Sequence, residues 1–65
     1  MTNTYQAICG ESVKTFRVTN LGSEFLVEEI KVVSSVKIKC TYGCTAVNEA
    51  LRMQGMRADD VIKCA

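Results

Sequence analysis

The stretch Val36-Lys37-Ile38-Lys39-Cys40-Thr41-Tyr42-Gly43-Cys44-Thr45, with its continuation to Asp60-Val61-Ile62-Lys63-Cys64-Ala65, decides the reading of this 65-residue chain. Val36, Ile38 and Cys40 alternate with Lys37, Lys39 and Thr41, the two-residue period of a half-buried strand. Gly43 lets the chain turn where a side chain would obstruct it. Thr45 is the expected N-cap, because its hydroxyl can accept from an orphan first-turn N–H. The run Ala46 to Gln54 is rich in helix formers, with Val47, Ala50 and Leu51 on one face and Glu49 and Arg52 pointing away. Gly55 stands where a left-handed residue would close the helix, and Asp59-Asp60 leads into a last strand, Val61 to Cys64. Strand, helix and strand in this order predict a right-handed crossover between strands that run parallel. Cys40, Cys44 and Cys64 would then gather at one edge of the sheet, with Cys40 and Cys64 on the helix side. On that parity the helix covers Val36, Ile38 and Ile62.

Working back from the tail, Tyr5 to Cys9 reads as a strand with Tyr5, Ala7 and Cys9 on one face. Gly10-Glu11-Ser12 has hairpin length. Val13 to Thr19 is a second strand, with Phe16 and Val18 sharing a face. After the turn Asn20-Leu21-Gly22-Ser23, residues Glu24 to Val33 suit either a strand or a helix capped by Ser23. The β-branched end, Ile30, Val32 and Val33, favours the strand. Ser34-Ser35 makes the turn into the tail. The expected architecture is α+β in the order β-β-β-β-α-β, a mostly antiparallel sheet with one helix on one face, spanning residues 1–65 as a single domain.

Composition narrows the function classes. Eight basic against seven acidic side chains give a net charge of +1, so no global field selects a nucleic acid or a membrane. Three basic and four acidic residues fall in positions 1–33, five and three in positions 34–65. No apolar run approaches the roughly 18–20 residues of a membrane span. Met1-Thr2-Asn3-Thr4 has neither the charge nor the apolar core of a signal peptide, so a cytoplasmic setting is expected, where disulfides are uncommon.

The chain has no histidine, which removes Ser–His and Cys–His nucleophile pairs and imidazole metal ligands. No phosphate-binding glycine loop is present. The carboxylate pairs Glu28-Glu29 and Asp59-Asp60 suit solvated or turn positions better than acid–base chemistry. No enzyme and no cofactor are expected.

Four cysteines remain. Cys40-x-x-x-Cys44 straddles a strand-to-helix turn, one residue longer than the Cys-x-x-Cys spacing of redox sites. Cys40, Cys44 and Cys64 could alternatively hold a disulfide or contribute to a zinc site. The plainer expectation is that they are small buried hydrophobes, with Met53 and Met56 also core residues rather than soft-metal ligands.

A basic strand face offers the other candidate site: Lys37 and Lys39, joined by Arg17 from a neighbouring strand and by Tyr42. Readers of single-stranded nucleic acid need stacking aromatics as well, and only Tyr5, Phe16, Phe25 and Tyr42 are available. Lysines that shield an edge strand from aggregation are the simpler reading. The expected function is therefore a small interaction module docking on a protein partner, of the size of phage and mobile-element accessory or inhibitor proteins. A nucleic-acid binder and a thiol-redox or zinc protein are the alternatives.

Overall fold

The computed structural model describes residues 2–31 and 35–64. Its strands are β1 (Thr2–Cys9), β2 (Ser12–Asn20), β3 (Phe25–Glu29), β4 (Ser35–Ile38) and β5 (Asp60–Cys64), with one helix, α1 (Gly43–Met53), between β4 and β5. They form a single five-stranded sheet in the order β4-β3-β2-β1-β5, with every pairing antiparallel. The α+β class and the order β-β-β-β-α-β are as the sequence predicts.

Local chemistry explains the meander. Gly10 and Glu11 join β1 to β2 across the pair Cys9–Ser12. Gly10 has φ of 62°, the left-handed start that a tight two-residue hairpin favours. Between β2 and β3 the Gly22 amide donates to the Asn20 side-chain oxygen at 2.8 Å, an Asx turn. The ambiguous segment is a strand, yet it ends at Glu29. Ile30 turns away and Lys31 takes a left-handed φ of 76°. Val32, Val33 and Ser34, expected at the strand end and turn, lie outside the described residues.

Strand alternation divides the sheet into two unlike faces. Tyr5, Ala7, Phe16, Val18 and Val27 point to the helix and are buried. From α1, Ala46, Val47, Ala50 and Leu51 meet them. The two alanines let the helix sit close to the sheet, and Val36, Ile38 and Val61 pack around this cluster. Among the described residues no polar or charged side chain is buried, so packing of one helix on one sheet face supplies the core.

The helix ends as its sequence predicts. Gly55 has φ of 74°, its amide donates to the Arg52 carbonyl, and the Met56 amide donates to that of Leu51, both at 2.9 Å. This is a Schellman closure, and Met56 returns to pack on the core. Met53, expected in the core, is instead 67% exposed on the last helical residue. The start differs too. The helix begins at Gly43, with Tyr42 in the N-cap position and no side-chain cap; Thr45 is already helical and exposed. Helix formation starts earlier because the Tyr42 carbonyl accepts the Ala46 amide at 3.1 Å.

The tail corrects two expectations. β4 and β5 do run in the same direction, but they form opposite edges of the sheet with three strands between them. The meander leaves β1 as a free edge, and α1 carries the chain across the sheet to it. The parity of β5 is also reversed. Val61 lies opposite Ala7 and faces the helix, whereas Ile62 lies opposite Gln6 on the other face and is 44% exposed. Long-range contacts pin this register: the Asp59 amide donates to the Ile8 carbonyl at 2.7 Å, and its carboxylate accepts from Gly10.

Candidate functional site

The face of the sheet away from the helix carries no covering layer among the described residues. Cross-strand register places Ile8, Val13, Leu26 and Ile62 there, between Thr4, Thr15 and Thr19. Charges of both signs are interleaved. Arg17 faces Glu28 across the β2–β3 pair, Lys37 faces Leu26 on the β4 edge, and Asp60 faces Ile8 near the β5 edge. Val13, at 58% exposure, and Ile62 are the most open apolar groups on it.

Of the basic-face candidates, Arg17 and Lys37 share this surface, two strands apart and offset by two residues along them, about 12 Å at the usual strand spacings. Lys39 is exposed just beyond β4, and Tyr42 is exposed at the helix start. Tyr42 is thus separate from the sheet positions. The other aromatics are committed to the helix side, with Tyr5 and Phe16 buried and Phe25 packed against the core. The open face therefore presents threonine, aliphatic and charged groups, without an aromatic platform among the described residues.

The predicted cysteine cluster does not assemble. All four cysteines are free thiols. Cys64 lies opposite Thr4 on the open face, whereas Cys40 packs on the helix-side core, so the sheet lies between them. The sequence reading fails because it assigns the wrong parity to Ile62 and Cys64 together. Cys40 donates its thiol hydrogen to the Tyr42 carbonyl at 3.2 Å. Cys44 is exposed in the first helical turn, and Cys9 packs at the far end of β1. Among the described residues no group of three or more potential ligands could hold a metal ion.

The carboxylate pairs have structural work. Glu29 receives Lys14 at 3.3 Å with its side chain only 10% exposed, and Gln54 reaches it from the end of α1. Asp59 clamps the β1–β2 turn at Gly10.

One close approach, between Tyr5 and the start of α1, is invisible in the sequence. A side-chain carbon on Gly43 would stand 2.5 Å from the Tyr5 hydroxyl, so only glycine lets the phenol lie against the first turn. Burial, and secondarily the neighbouring Cys44, raise the Tyr5 pKa above its ordinary value of 10.0. The hydroxyl therefore stays protonated, a donor, at neutral pH.

Two shallow clefts of about 450 and 410 Å³ lie near the C-terminal end of α1, the first beside Val13, Ile30 and Met56, the second beside Arg52, Met56 and Arg57. The first reaches the open face at Val13 and Thr15, and neither is lined by Arg17, Lys37, Lys39, Tyr42 or a cysteine. No helix among the described residues is long and apolar enough to cross a membrane. Comparison of the chain with protein-family models, curated proteins and solved structures finds no match.

Proposed function

We propose that this chain is a non-enzymatic interaction module that docks a protein partner through the open face of its sheet. The observation that carries the reading is that face itself, apolar at Ile8, Val13, Leu26 and Ile62 yet covered by no layer among the described residues. An apolar surface framed by polar groups is the usual anatomy of a protein contact. The pairing of Arg17 with Glu28, and the separation of Lys37 and Asp60 to opposite edges, favour a partner with charges of both signs over a polyanion. Such charges steer approach and fix register while the aliphatic groups hold the complex. The small size and single helix layer fit an accessory or inhibitor protein.

Site-specific photocrosslinking in cells of origin tests this. A crosslinking residue at Thr15, in the centre of the open face, should trap one discrete protein, and Ile62→Asp should abolish the adduct. The same residue at Asn48, on the outer side of the helix, should trap none. Adducts confined to Asn48, or adducts from Thr15 that resist digestion by protease and yield to nuclease, would overturn the assignment.

A further inference from the structure

The register of the sheet fixes where each side chain of the open face stands. Lys37, Leu26, Thr19 and Thr2 form one row across four strands. Asp60, Ile8 and Val13 form another row, further along by the distance from Thr2 to Ile8. Lys37 and Asp60 are both exposed and occupy opposite corners, about 19 Å apart across the strands and about 20 Å along them. Leu26 and Ile62 lie along the same diagonal, about 14 Å apart across the strands and about 13 Å along them. The midpoints of the two separations fall within about 1 Å of one line that crosses this diagonal at a right angle. A single two-fold axis along that line, in the plane of the face, therefore exchanges both pairs at once.

We infer that the partner of the open face is a second copy of this chain, packed sheet on sheet about this axis. The inference rests on the docking reading and names its partner. Lys37 meets Asp60 of the second copy, Leu26 meets Ile62, and the symmetry makes each contact twice. One Asp60 oxygen accepts the Val61 amide at 2.9 Å, and the other is left for the lysine. Glu28 and Gln6 also straddle the axis, so a carboxylate reaches a side-chain amide across it. Arg17 lies beside the axis, where Glu28 in its own sheet offsets its charge. A two-fold on the diagonal sets the strands of the two sheets near right angles, one of the two ways in which sheets pack face to face. The footprint is roughly 20 by 25 Å, about 1,000 Å² counted over both copies, the least that a specific interface buries. The dimer is accordingly weak and reversible. The partner with charges of both signs that the face requires is supplied by the face itself.

Sedimentation equilibrium of the purified chain from micromolar to millimolar concentration tests this and should show a monomer–dimer equilibrium. Lys37→Asp and Asp60→Lys are exposed changes, and each should weaken the dimer at least tenfold, because each sets like charges together at two places. An equimolar mixture of the two variants recreates both ion pairs, so a heterodimer should form with about the wild-type midpoint. A wild type that stays monomeric, variants that dimerise like wild type, or a mixture no tighter than its components would rule out the second copy. The crosslinking residue at Thr15 separates that failure from failure of the docking reading. An adduct of twice the chain mass supports the dimer. An adduct of another mass, with a monomeric wild type, keeps the docking face and removes the second copy; no adduct at all removes both.

Discussion

The carboxylate of Asp59 accepts a hydrogen bond at 2.9 Å from the amide of Gly10, forty-nine residues earlier in the chain. With the Asp59 amide on the Ile8 carbonyl, it ties the hairpin between the first two strands to the entrance of the last one. Asp59→Ala should cost about 1 kcal/mol, since the bond is exposed and its partner can turn to water. Asp59→Asn, which keeps an acceptor, should cost less. Urea denaturation of the three proteins checks the order, and equal stabilities would mean that the clamp does not set the β5 register.

That register makes a second expectation. Val61 faces the core and Ile62 does not, so Val61→Asp should unfold the domain while Ile62→Asp leaves its circular dichroism unchanged. The opposite result would restore the parity read from the sequence.

The helix face is expected to dominate stability. Leu51 is fully buried and its carbonyl takes the closing Met56 amide. Leu51→Ala should cost about 2–5 kcal/mol in denaturant titration. A loss under about 0.5 kcal/mol, typical of surface sites, would place the core elsewhere.

Gly43 and Tyr5 should behave as a coupled pair. Gly43→Ala forces a contact of 2.5 Å with the phenol oxygen and 2.9 Å with its ring carbon, an overpacking of about 1–3 kcal/mol. Adding Tyr5→Phe removes the closer clash and should recover part of that loss. Additive effects in the double-mutant cycle would argue against the contact.

Alkaline pH offers an independent reading of the same tyrosine. Its pKa is raised in the folded state from 10.0, so the unfolded chain loses this proton first as pH rises. The contribution is fully present below about pH 10 and declines through the folded pKa. Wild type should therefore lose more stability than Tyr5→Phe between pH 9 and 12, measured by urea midpoints. Parallel curves would show that Tyr5 titrates alike in both states.

Much of this fold is legible in local pattern, and the remainder depends on distant partners. Tyr5 with Ala7, Phe16 with Val18, and Val36 with Ile38 alternate cleanly enough to assign their inward faces. Val47, Ala50 and Leu51 likewise mark the helix stripe, and Gly55 marks its end. Val61 and Ile62 are adjacent aliphatic residues, so only pairing with β1 decides which is inside. The sequence places Cys40 and Cys64 together because strands flanking a helix commonly pair, whereas here the meander offers β1 as the open edge. Thr45 is a sound capping residue displaced by an earlier turn. Of the candidate site, Arg17 and Lys37 do share a surface. The meeting of Tyr5 with Gly43 carries no sequence signal, since thirty-eight positions separate them.

Because the core lies wholly between one helix and one side of the sheet, the two surfaces of each strand are under different rules. Inward positions answer to packing, while their immediate neighbours answer only to strand propensity and to whatever the domain meets. Alternate residues along β1, β2 and β5 can thus drift at different rates in evolution. A laboratory library confined to Thr4, Gln6, Thr15, Arg17 and Ile62 could change recognition while the framework beneath it stays fixed.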